Sequence, residues 1–157
     1  DLCWLDSPYQ FLVTQRTRYT DEIASGAFPR VIDTLRASRG FRFSPVHAFS
    51  GSIEAAKGYI ERGFYLGIGG TITYERAQKT RNTLGFLLEH HFDKLLLETD
   101  APDMPMCGRQ GEANEPRYLS DVVDVISDRY GMSHKEIVST TTANYTRLFN
   151  IDAGSEA

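Results

Sequence analysis

Residues 45–52 read "PVHAFSGS" and residues 95–102 read "LLLETDAP". Each is a short apolar run that stops at reactive chemistry. The first stops at His47, ahead of a Ser-Gly-Ser turn. The second stops at two carboxylates, Glu98 and Asp100. Val46–Phe49 has the character of a strand, and "SIEAAKGYIERG" after it has the period of a helix. Ile53, Ala56 and Ile60 share one face there, with Gly63 past the end. A strand handing over to a helix is the start of a βα unit.

The same alternation runs outward from these stretches. "FYLGIGG", residues 64–70, reads as a strand in which Phe64, Leu66 and Ile68 alternate with Tyr65, Gly67 and Gly69. Tyr74–Glu89 reads as a helix, with Ala77, Leu84, Leu87 and Leu88 apolar. "KLLLET" is a continuous apolar strand, the pattern of a parallel strand covered on both faces. Upstream, Phe28–Arg39 reads as a helix with Pro29 in its first turn and Gly40 as its stop. Downstream, a loop holds Pro102, Pro105, Gly108 and Gly111. Pro116 opens another helix with Leu119, Val122, Val123 and Ile126 on its face. Ser133–Glu136 forms an S-x-x-E capping box for the last helix. Strand then helix, three times over, predicts an α/β fold with a parallel sheet. In such folds the working residues gather at the carboxyl ends of the strands. His47, Thr71 and Asp100 all fall at or just beyond such ends.

A chain of 157 residues is the size of one domain with its own core. Its net charge of −4 argues against sequence-blind clinging to a phosphate backbone, which needs basic surface. A nucleic-acid substrate would need a local positive feature such as a metal ion. Cys3 and Cys107 are far apart in sequence and form no metal-like or redox-like pair; a disulfide between them is open but unforced, and free thiols in a reducing cytoplasm are the expectation. No apolar run approaches the length of a membrane span. The chain opens on Asp1 rather than Met, which sets the expectation that it begins inside something longer.

A neutral imidazole and an ionised carboxylate are good ligands for a divalent cation, and a carboxylate can also orient a water. Glu98 lies two residues before Asp100, so both point to one side of a strand, with Asp100 at the mouth and Glu98 one layer deeper. Spacing alone leaves another reading open, in which His47 caps a helix or bonds a carbonyl and Asp100 tethers a turn before Pro102. The glycines of "GIGG" likewise serve either close helix–strand packing or space for a substrate.

The wording of these segments adds to the pattern. "HAFSGS", "FYLGIGGTITY", "LLLETDAPDMP" and the closing "TTTANYTRLFNI" resemble the C-terminal half of the TatD family of metal-dependent deoxyribonucleases. "GGTITY", "ETDAPDMP" and the G-x-x-N-x-P segment Gly111–Pro116 resemble its YjjV-like branch most. The resemblance covers roughly residues 28–151, in the order of strands six to eight of a TIM (β/α)8 barrel. It implies that residues 28–157 form the C-terminal part of a hydrolase barrel, about three βα units plus terminal helices, behind a divergent or truncated segment 1–27. It implies His47 and Asp100 as metal ligands, with Asp100 also orienting the attacking water. Glu98, Ser50 and Thr71 would stand behind the ligands or beside the substrate, with Thr99 and Ser50 in turn and cap roles. The metal would be Mg²⁺, with Mn²⁺ or Zn²⁺ as alternatives, and the substrate DNA, single-stranded or at 3′ ends.

The chain also departs from the family pattern. The family's H-x-H motif on strand one and glutamate on strand four are not visible. Its strand-five histidine would fall near Ala24–Ala27, where this chain reads "ASGA". His90, His91 and His134 fall at helix ends and read as surface or cap residues. Two ligands are expected where three to six are usual. A barrel needs eight strands and about 250 residues, so the sheet edges at Val46–Phe49 and Leu95–Leu97 are expected to be bare. Three function classes follow: a TatD-type nuclease with little activity from this chain alone, a non-catalytic remnant, and a metal hydrolase of the same fold acting on another ester or amide.

Overall fold

The computed structural model describes residues 45–149. The expected segment 1–27, the boundary at residue 28, the helix Phe28–Arg39, the "ASGA" stretch and Cys3 lie outside the described residues. Three strands, β1 (Pro45–Val46), β2 (Tyr65–Ile68) and β3 (Leu95–Leu97), form one parallel sheet in the order β1-β2-β3. Pro45 lies opposite Tyr65, Leu66 opposite Leu95, and Ile68 opposite Leu97. Helix α1 (Ile53–Glu61) joins β1 to β2, and α2 (Gln78–His90) joins β2 to β3. Strands laid side by side in chain order, each followed by a helix, are the build of a (β/α) barrel wall.

Local chemistry sets the boundaries. Ser52 caps α1 by accepting the Ala55 N–H at 3.3 Å, and Gly63 ends it at φ 85°. Ala56 and Tyr59 face inward from α1, and the Tyr59 ring meets Phe49 and Phe64 edge-on at 5.9 and 5.8 Å. Helix α3 (Leu119–Tyr130) follows a 3₁₀ turn at Pro116–Tyr118 and stops at Gly131, φ 69°. Helix α4 (His134–Phe149) starts behind Ser133, whose Oγ accepts the Glu136 N–H at 3.2 Å. This is the serine half of the expected capping box. The core lies between sheet and helices: Leu66, Ile68, Leu95, Leu84, Leu87, Val122, Ile126 and Ile137 are fully buried.

Three elements are shorter than the sequence suggests. β1 stops at Val46 because Ala48 turns into the left-handed region at φ 48°, although Phe49 still donates to Gly67 O at 2.9 Å. β3 stops at Leu97, with one more ladder bond from Glu98 N to Ile68 O. α2 starts at Gln78 rather than Tyr74. Residues Gly70–Thr73 form a 3₁₀ turn, and Tyr74 is extended with its hydroxyl donating to Pro105 O at 2.7 Å. That bond holds the segment against the loop after β3, out of the helix. All four residues of β2 are buried, so the expected alternation describes side-chain size and not exposure.

The outer edge of β3 is not bare. The Glu98 N–H points to Ile68 O of β2, and backbone groups alternate sides along a strand, so the carbonyls of Leu95 and Leu97 point the other way. The Asn144 amide donates to Leu95 O and Phe92 O, each at 2.8 Å, and the Tyr145 hydroxyl donates to Leu97 O at 2.7 Å. Helix α4 therefore satisfies carbonyls that a neighbouring strand would otherwise take. Cys107 is an exposed free cysteine. Among the described residues no helix is long and apolar enough to cross a membrane.

Candidate metal centre

The carboxyl ends of β1 and β3 are joined by one carboxylate. Glu98, the first residue past β3, accepts the Nδ1–H of His47 at 2.7 Å and also the Ala48 N–H. Its side chain is only 11% exposed, whereas that of His47 is 46% exposed. A carboxylate accepting a ring N–H fixes the imidazole tautomer. With the proton on Nδ1, the neutral ring keeps a lone pair on Nε2. Metal-binding histidines are oriented this way.

Gly67 of β2 makes room for this contact. A Cβ there would lie 2.5 Å from Glu98 Oε2 and 2.8 Å from its Cδ. The glycine thus leaves room for the Glu98 carboxylate. Two residues on, a Cβ at Gly69 would lie 3.4 Å from both Asp100 Oδ2 and Glu98 Cγ. The two carboxylates flank the same glycine strand, with His47 held by one of them. The structure therefore brings His47, Glu98 and Asp100 together on one face, at the end of the sheet.

Asp100 is a half-buried residue in the left-handed region, φ 56°. Such a backbone is uncommon for a residue with a side chain and is held by its surroundings. Asp103 N donates to Asp100 O at 2.9 Å, and Ala101 N to Thr99 Oγ1 at 3.3 Å. The amide of Asn114, itself 3% exposed, donates to Thr99 O, Asp103 O and Met104 O.

The other candidates lie further out. Ser50 is exposed, and the helix cap falls on Ser52. Thr71 lies in the Gly70–Thr73 turn and lines a groove of about 240 Å³ with Tyr74, Arg76, Ala77, Met104 and Pro105. The groove's walls are the loops that leave β2 and β3 just past Gly69 and Asp100. Thr73 Oγ1 ties these loops by accepting the Cys107 N–H at 2.8 Å. Arg76 is exposed, with its guanidinium 5.2 Å over the Tyr74 ring, and makes no ion pair among the described residues. His90 and His91 border Phe86 at the far end of α2, and His134 lies 3.3 Å from Asp124.

His47 Nε2 and the Asp100 carboxylate are the donor types that a divalent cation takes. Among the described residues no group of three or more His, Cys, Asp or Glu side chains is arranged to hold a metal ion. Two contributions escaped the sequence reading. The role of Asn114 was hidden in the G-x-x-N-x-P segment, which was legible as a motif but not as a clamp. Arg76 had no signal at all, being one exposed cation among many.

A family model described as TatD related DNase matches residues 24–150. The uncharacterized metal-dependent hydrolase YjjV of Escherichia coli K12 is 42% identical over 110 residues, 70% of this chain and 41% of that protein. The uncharacterized metal-dependent hydrolase YabD of Bacillus subtilis is 37% identical over 107 residues, 68% of this chain and 41% of that protein. The chain spans about two fifths of the length of these curated relatives. The crystal structure of the YjjV TatD homologue from E. coli K12 superposes with a TM-score of 0.67 at 38% identity, covering 78% of this chain and 46% of that one. A TatD family hydrolase from Entamoeba histolytica, at 18% identity and a TM-score of 0.56, shares the fold over 68% of this chain and 42% of its own.

Proposed function

The chain belongs to the TatD family, its described part being a section of that family's TIM-barrel wall, and from this premise we propose that it carries the His47–Asp100 portion of a metal-dependent phosphodiesterase site acting on DNA. The observation that carries the reading is the Glu98–His47 hydrogen bond, which engages Nδ1 and fixes the tautomer of the imidazole at the same end of the sheet as Asp100. His47 Nε2 and Asp100 would hold the ion, while Glu98 keeps the imidazole in its tautomer. A bound divalent cation, Mg²⁺ or else Mn²⁺ or Zn²⁺, would supply an activated water and offset phosphate charge. Asp100 would accept a hydrogen bond from the attacking water and orient it. Thr71 and Arg76 line the path by which a strand, entering at a 3′ end, would reach the site. Arg76 offers a cation to phosphate and a flat face to a base. The protein would work in the cytoplasm.

With His47 and Asp100 as the two donors among the described residues, weak metal binding and little Mg²⁺-dependent cleavage of single-stranded DNA are expected. The decisive measurement is paramagnetic line broadening by millimolar Mn²⁺. Signals next to His47 and Asp100 should broaden first, and Asp100→Asn should remove the effect. A short single-stranded oligonucleotide with Mg²⁺ should shift the signals of Thr71, Arg76 and Met104. Broadening centred elsewhere overturns the metal site. Broadening at His47 and Asp100 with no response to DNA overturns the substrate class and leaves hydrolysis of another ester or amide.

A further inference from the structure

The buried side chain of Asn114 bonds the loop carrying Asp100 at three carbonyls and is not among the residues that line the groove. Asn114 is buried, and its NH₂ group sits among the carbonyl oxygens of Thr99, Asp103 and Met104. Its backbone N–H donates to Pro102 O at 2.9 Å, and its Oδ1 accepts the Glu115 N–H at 2.9 Å. Four of these five bonds go to residues within four positions of Asp100, from a residue fourteen positions further along. Thr99 lies immediately before Asp100, and Asp103 closes the turn onto Asp100 O. Met104 is also in the left-handed region, at φ 54°. A loop with two such residues within five does not hold that shape by itself. Without the amide, the carbonyls of Thr99, Asp103 and Met104 would lose this donor.

We propose that Asn114 is the positioning residue for Asp100: it fixes the left-handed turn that aims the carboxylate at the space beside Gly69. The assignment rests on the metal-site reading of His47 and Asp100. The Met104 and Pro105 lip of the groove is set by the same clamp, because Met104 O is one of the three acceptors. The acceptors fix the chemistry at this position. Aspartate would face three carbonyls with a group that cannot donate. Glutamine adds a methylene to a site with little space.

The structure contains its own control. Asn144 is equally buried and also donates to two carbonyls, Phe92 O and Leu95 O, but at the opposite end of β3. Asn114→Ser and Asn144→Ser therefore remove the same kind of bond, and both should lower the melting temperature. Only Asn114→Ser should reach the site. Two readouts separate the roles. In the metal-free chain, exchange of the Asp103 amide should accelerate at least tenfold in Asn114→Ser relative to Asn144→Ser at matched global stability. In the Mn²⁺ titration, Asn114→Ser should need about tenfold more metal for equal broadening at His47 and Asp100, the effect of losing a group behind a ligand. Asn144→Ser should titrate like the parent. Equal exchange at Asp103 in the two variants overturns the proposal, as does an unchanged Mn²⁺ midpoint in Asn114→Ser. If the parent shows no broadening, the metal reading fails by itself and the Asp103 exchange rate still decides the clamp.

Discussion

Gly67→Ala tests the centre of the site with one methyl group. Gly67 has ordinary strand geometry, so alanine is compatible with the backbone and only its side chain intrudes. The new Cβ would lie 2.5 Å from Glu98 Oε2, whereas ordinary contact begins at 3.4 Å. The carboxylate must retreat by the difference, about 0.9 Å. A retreat directed away from His47 would stretch the 2.7 Å bond to at most about 3.6 Å, beyond hydrogen-bonding range. Losing a hydrogen bond to a charged group costs about 1.5–3 kcal/mol. Replacing glycine in a strand returns about 0.5–1 kcal/mol. The net expectation is a loss of about 1–2 kcal/mol, or about 2–8 °C in melting temperature for a chain of this size.

Two assays read the result. A thermal melt by circular dichroism gives the stability, and ¹⁵N NMR of the imidazole gives the tautomer of His47, which should lose its fixed Nδ1–H. A double-mutant cycle isolates the contact. In a Glu98→Ala background the clash is gone, so Gly67→Ala should be neutral or mildly stabilising. An unchanged melt with His47 still protonated on Nδ1 would refute the reasoning. So would an equal cost of Gly67→Ala in both backgrounds, since the strain would then lie somewhere other than the carboxylate.

Leu66, fully buried in the central strand, should cost about 2–5 kcal/mol when changed to alanine, seen as a lower urea midpoint at unchanged slope. Tyr145→Phe removes the hydroxyl that satisfies Leu97 O and should cost about 1 kcal/mol; an unchanged melt would mean that solvent or another donor serves that edge equally well. Burial pushes the Tyr59 phenol from 10.0 up to about 12. The folded state therefore holds this proton more tightly than the unfolded chain does. That contribution is complete below pH 10.0 and is lost as pH rises to about 12. Alkaline melts of Tyr59→Phe should lack this part of the decline, and parallel declines in the two proteins would contradict it.

Much of the fold is set by local pattern, which a sequence carries openly. The apolar runs around Leu66 and Leu95–Leu97, the helix faces at Ala56 and Val122, and the stops at Gly63 and Gly131 each follow from periodicity or from a residue's own backbone preference. The placement of His47, Thr71 and Asp100 at strand ends follows from the same pattern, because a parallel sheet gathers those ends on one side. The tertiary structure decided what local pattern does not encode. Glu98 and His47 are fifty-one residues apart in sequence, and their bond exists only because β1 and β3 both lie against β2. Gly67 is needed because of a carboxylate thirty-one positions away. Tyr74 leaves the helix because its hydroxyl meets Pro105, and β3 keeps a satisfied edge because Asn144 and Tyr145 return to it from α4. The left-handed turns at Ala48 and Asp100 have the same origin. Ala48 has no preference for that backbone and aspartate merely tolerates it better than most, so the conformation depends on partners that the fold delivers.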